Sequence, residues 1–286
     1  MTDEPATRTP TADAVAVRDV IRGYSTWFNN YRIEELTTPS PGSQADKEEQ
    51  AAAGRTRELL VDARSLAAMR LVQARSCLDG AAHSFDLPDP VGSVHALSRV
   101  VLEACAYSHW LADTSIDGPR RASRAADDVL HGMNERRKIV LGDPTALGKA
   151  DASIATYKDT LDKAGIVPEV RPNSTNAAGL LFTDAEIGDG RAAGETMYRV
   201  LSGNPHSSSH MMLSRISYFD TNFVGPARTA FFASLNAFDV FSKWMGWGGR
   251  PAWRSWAARA WESVTITNAR TEPSADVAPQ VAPHAR

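Results

Sequence analysis

From Ser93 to Asp113 the chain reads SVHALSRVVLEACAYSHWLAD, an unbroken run with no glycine or proline. Val94, Leu97, Val101, Ala104, Ser108 and Leu111 recur at alternating three- and four-residue spacing, which places them on one face of a helix. Apolar residues also fall between these positions, so the segment has little polar surface to offer water. A helix of this kind belongs at the centre of a fold, with other helices around it.

The flanking sequence supplies those helices. Thr11 can cap one that runs to about Leu36, with Val15, Val20, Trp27 and Tyr31 among its apolar positions. TTPSPGSQA then reads as a loop over about 37–46, and a long helical stretch follows from Lys47 to Phe85, carrying Gly54 inside it. LPDPVG breaks the chain before the central helix. Asp117 with Pro119 starts a charged helix to about Leu141, and Pro144 starts another to Ala164, both as outer helices with one wet face. Between residues 165 and 190 the helical period lapses, as in a lid, a binding loop or an insertion. It resumes at Arg191, breaks at Gly203, and returns over Pro226–Trp244 and Pro251–Thr265. Strand-like runs are few. The pattern predicts an all-α fold, an irregular multi-helix bundle over residues 12–265, with a polar leader over 1–11 and a disordered tail over 266–286.

At 286 residues the chain can bury a large core without staples, and its 43% apolar and 23% charged residues suit a globular protein. A formal net charge of -3 argues against a domain whose main task is to grip a nucleic-acid backbone, though it leaves room for a local basic patch. Cys77 and Cys105 both fall inside predicted helices and read as small buried hydrophobes, not as a disulfide or a metal site. The first residues, MTDEPATRTPTADA, lack the basic start and apolar run of a signal peptide, and no stretch approaches the roughly 18 apolar residues of a membrane span. The expectation is a cytoplasmic protein with no membrane partner.

Two places carry polar side chains in patterns that suggest chemistry. His95, Arg99 and Glu103 follow one another at four-residue spacing on the central helix, either as an internal ion pair or as the lining of a cleft. The second place is YRVLSGNPHSSSH, from Tyr198 to His210. Gly203 breaks the helix, Asn204 suits an N-cap and Pro205 the first helical position, so His206 and His210 fall in the opening turns of a new helix. The positive end of that helix favours neutral imidazoles, able to accept a proton, and its N–H groups and serines can receive a phosphate oxygen. Tyr198 and Ser202 lie one turn apart before the break. Arg199 either joins this site or forms a surface pair with Glu195. His206 and His210 lack an evident third ligand for zinc, and no cofactor motif is present: no P-loop, no nucleophile elbow, no paired Glu-x-x-His, and a wrongly spaced GDGRAAG. Neither a metal nor a cofactor is expected.

The R-x-x-x-E of Arg99 and Glu103, the HWLAD that follows, the arginine-rich helix and the Y-x-x-L-S-x-x-x-H of Tyr198, Leu201, Ser202 and His206 together resemble a group of all-helical bacterial proteins, the DUF5677-like set. These in turn resemble HEPN domains. The resemblance spans roughly Ser93 to His210. HEPN nucleases carry an arginine and a histidine with four to six residues between them, and Arg199 with His206, six residues between, fits the longest such spacing. The resemblance therefore implies metal-independent RNA cleavage or binding, with His206 as acid or base and Arg199 as the anion-stabilising group. Val200 and the Gly-Asn-Pro break depart from the family pattern.

A different class of function rests on the C-terminal part. FSKWMGWGGRPAWRSWAARAWESV is dense in tryptophan over 244–264, and Trp253, Trp256 and Trp261 share one predicted helical face. That face can bury into the domain, join a second copy or a protein partner, or lie at a membrane surface. The alternatives to an RNA-directed protein are thus a non-catalytic scaffold that assembles through these tryptophans, and a helical protein that binds a small molecule.

Overall fold

The computed structural model describes residues 12–29, 31–87, 90–183, 190–203 and 223–247. Among them are ten helices and no strand, an all-α bundle. The Asn204 helix start, His206, His210 and the helix predicted over Pro251–Thr265, with Trp253, Trp256 and Trp261, lie outside the described residues.

The centre is α5 (Val91–Ala112). Over residues 101–112 only Glu103 escapes full burial, as the apolar run requires. One side of α5 packs on α4 (Gly54–Ser84), whose alanines at 63, 67, 74, 81 and 82 let the two backbones approach closely. Ser108 Oγ donates to the Ala67 carbonyl at 3.0 Å across that interface, so its buried hydroxyl is satisfied. The other side packs on α10 (Val224–Met245), where small residues alternate with Phe231, Phe238, Phe241 and Trp244. Burial pushes the Cys105 thiol of α5 up to about 12, so it is a protonated, inert core group, and Cys77 is likewise free.

α1 (Ala12–Phe28) lies across α4 and α10. Its Tyr24 hydroxyl meets Ser234 Oγ at 2.9 Å in the interior, and Trp27 and Phe28 meet Phe238 with ring centroids 5.2 and 5.8 Å apart. The predicted continuation to Leu36 is corrected here: the helix stops at Phe28, and a short α2 (Ile33–Thr37) follows a turn. Tyr31 kept the apolar period because it still packs on Phe238 and Trp247 from that turn.

The long helix predicted from Lys47 is also divided. α3 (Gln44–Ala51) ends, Ala53 is extended, and Gly54 takes φ +52°, a left-handed conformation that glycine adopts without the Cβ clash. The break frees α3 to turn away from α4 and reach α6 and α10. α6 (Gly118–Ile139) is capped by the Asp117 carboxylate, which accepts from Arg120 N, and pairs with α7 (Pro144–Lys163), capped by Asp143. Finally, α8 (Ser174–Leu181) lies inside the stretch expected to be irregular over 165–190, capped by Asn173. Its apolar stripe is too short for a helical period to stand out. α8 pairs with α9 (Gly190–Gly203), and both rest on α5. A Cβ on Gly194 of α9 would stand 2.3 Å from the Ala178 carbonyl oxygen, so only a glycine permits this helix pair its separation.

Candidate functional site

Arg99 and Glu103 of α5 point toward α9 and α8. The Arg99 guanidinium lies over the Tyr198 ring of α9, 5.8 Å from its centroid, and Tyr198 is buried. One turn along α5, the Glu103 carboxylate accepts a 2.8 Å hydrogen bond from Ser174 Oγ in the first turn of α8. Ser174 Oγ is also 3.3 Å from the Tyr107 hydroxyl, which donates to the Pro172 carbonyl at 3.1 Å. Arg99 thus holds α9 in place and Glu103 holds the start of α8. His95, one turn earlier, is buried in the same helix.

The structure brings Tyr198 and Arg99 together. Arg199 does not join them. Its side chain is 64% exposed and donates to Glu195 at 3.1 Å, the surface pair weighed as the alternative. Glu195 also receives Arg191 at 3.3 Å. An exposed pair of this kind contributes only about 0–1 kcal/mol, so another anion can displace the carboxylate at little cost. Ser202, in the last turn of α9, has a buried hydroxyl with no hydrogen-bond partner among the described residues. His206 and His210 follow that turn in the chain and lie outside the described residues.

The most heavily charged interior sits elsewhere, on α6. Arg121, with none of its side chain exposed, donates to Glu48 of α3 at 2.9 Å and to the carbonyls of Leu111, Asp113 and Ile116. Its guanidinium lies 4.3 Å from the centre of the Trp244 ring, whose Nε1 donates to the same Glu48 carboxylate at 3.1 Å. Burial pulls the Arg121 guanidinium below its ordinary range, and Glu48 opposes that shift. Arg124 reaches Asp113 at 3.2 Å and Glu169 at 3.1 Å, and Arg120 reaches Glu169 at 2.7 Å. Burial raises the Glu169 and Asp113 carboxyls, but hydrogen bonds outweigh it, from Arg120 and Arg124 at Glu169 and mainly from Ser115 at Asp113, and both end below the usual range. A third tie joins Arg70 of α4 to the buried Asp128, with Arg171 3.7 Å away and both arginines over the Tyr107 ring.

These ties correct the picture of α6 as a helix with charges only on a wet face. Arg121, Arg124 and Asp128 share a face with the buried Ala125, and that mixture of arginine and alanine at helical spacing is a signal the sequence does carry. Their partners, Glu48 and Arg70, are too distant in sequence to be identified from it.

Among the described residues no group of three or more histidine, cysteine, aspartate or glutamate side chains is placed to hold a metal ion. No described helix is long and apolar enough to cross a membrane. Comparison with protein-family models, curated proteins and solved structures finds no match to this chain.

Proposed function

We propose that the protein is an RNA-directed helical module of HEPN-like, DUF5677-like character, with Arg199 and His206 as its working pair. What supports the reading is the setting of α9: Tyr198 is buried beneath Arg99, which fixes the rotation of the helix and turns the neighbouring Arg199 out to solvent. A polyanion can reach the guanidinium there and displace the weakly held Glu195. His206 follows three residues after α9 ends. In this reading it takes the proton of a ribose 2′-hydroxyl or returns one to the leaving oxygen, while Arg199 stabilises the charge on the phosphorane.

The test is incubation of the full chain with single-stranded RNA in the presence of a chelator. Cleavage is expected, and Arg199→Ala and His206→Ala should each abolish it with melting temperatures unchanged. Intact RNA at high protein concentration would overturn the proposal. The readings that then remain are a non-catalytic scaffold and a helical protein that binds a small molecule.

A further inference from the structure

Small residues on α9 leave space on the side that faces α10. Gly190 and Ala193 present almost no side chain there, and with Met197 they form one wall of a cavity of about 220 Å³. Phe182, just beyond α8, and Phe232 and Thr229 of α10 complete it. The space is half open to the surface, with Ala193 exposed at its rim, and an apolar space of roughly 150 Å³ is already enough to take up benzene. This one is larger.

The walls define what fits. Phe182 and Phe232 offer ring surfaces, for which aromatic partners gain beyond simple area burial, and the Met197 thioether adapts to an aromatic edge. Thr229 carries the polar group among the wall side chains named, and its hydroxyl already donates to the Gly225 carbonyl at 3.1 Å. Its oxygen remains an acceptor for one donor. A charged ligand would give up part of its hydration with no counter-charge among these wall side chains, so it binds more weakly than a neutral one.

We infer that the space between α9 and α10 is a binding site for an uncharged aromatic molecule of one or two fused rings with at most one hydrogen-bond donor. The inference stands apart from the RNA reading, since it uses neither Arg199 nor His206. The probe is 2-naphthol, neutral at pH 7 and fluorescent, titrated with the full chain. Saturable one-to-one binding is expected, with binding of the anionic 2-naphthoate weaker by about tenfold or more. Ala193→Trp fills the cavity and Phe232→Ala removes a ring wall, so each should weaken 2-naphthol binding by about tenfold or more. Ala152→Trp, on the exposed face of α7 away from α9 and α10, should leave it unchanged. Helix content by circular dichroism confirms that each variant is folded. The inference is overturned if the parent chain shows no saturable binding, if the two naphthalenes bind alike, or if the folded cavity variants bind as the parent does.

Discussion

Removing the Glu48 carboxylate should destabilise this protein more than its partial exposure suggests. In Glu48→Ala the Arg121 guanidinium stays fully buried without its counter-ion, and Trp244 Nε1 and Gln44 Nε2 each lose an acceptor. Breaking a buried ion pair from one side costs about 3–5 kcal/mol. Arg121 keeps the Leu111, Asp113 and Ile116 carbonyls and the Trp244 ring, which places the expected loss near the lower end, about 3 kcal/mol. For a domain of this size that is a fall in Tm of roughly 6–12 °C. Glu48→Gln retains an acceptor and should lose less. Glu48→Leu combined with Arg121→Met leaves neither ion uncompensated and should lose clearly less than the sum of the two single changes, the remaining loss coming from the Leu111, Asp113 and Ile116 carbonyls and Trp244 Nε1 left without partners. Urea denaturation followed by tryptophan fluorescence and circular dichroism measures all of these. A loss below about 1 kcal/mol for Glu48→Ala, or single losses that simply add in the double variant, would refute the account of the pair as a mutually dependent buried tie.

Two further outcomes are expected. Gly194→Ala should cost about 1–3 kcal/mol, because the Ala178 carbonyl 2.3 Å from the new Cβ is backbone and cannot yield, whereas Gly80→Ala, facing the flexible Leu97 side chain at 3.3 Å, should be neutral or stabilising; equal urea midpoints for the two would contradict this. Glu49, Asp113 and Glu169 have carboxyl groups held below the ordinary range, at Glu49 chiefly by the hydrogen bond from Arg64. A depressed folded value means that the stability is present above the unfolded pKa of about 4 and is lost as pH falls through the folded one. The urea midpoint should therefore hold level from pH 7 to about 5 and decline below about 4, less steeply in Glu169→Gln; an identical decline in that variant would count against Glu169 as a contributor.

Much of this architecture can be read before any coordinates. The period from Val94 to Leu111 is enough to place α5 at the centre, and Asp117 with Pro119, and Pro144, mark helix starts within a residue or two of where they fall, because caps and periodicity act over a few neighbouring residues. The same locality explains the misreadings. Tyr31 kept the helical period from outside a helix, and Gly54 resembled a tolerated interior glycine until its left-handed backbone turned α3 aside. The Asn173 cap introduced too short an apolar stripe to announce α8.

At the candidate site, Arg99, Glu103 and Tyr198 were recognisable by residue type and spacing, and the structure brings Arg99 to Tyr198 and Glu103 to Ser174. Arg199 faces solvent beside Glu195, a setting that follows from the burial of its neighbour Tyr198 and that the sequence left open. The ties of Glu48 to Arg121 and Trp244, and of Arg70 to Asp128, were beyond the sequence altogether. So was the cavity between α9 and α10. Local sequence determines where helices begin, end and present their apolar faces, since propensity, capping and period are short-range effects. Which buried charge meets which, and where small residues leave space, depends on how whole helices dock, and that docking is decided only when the core closes.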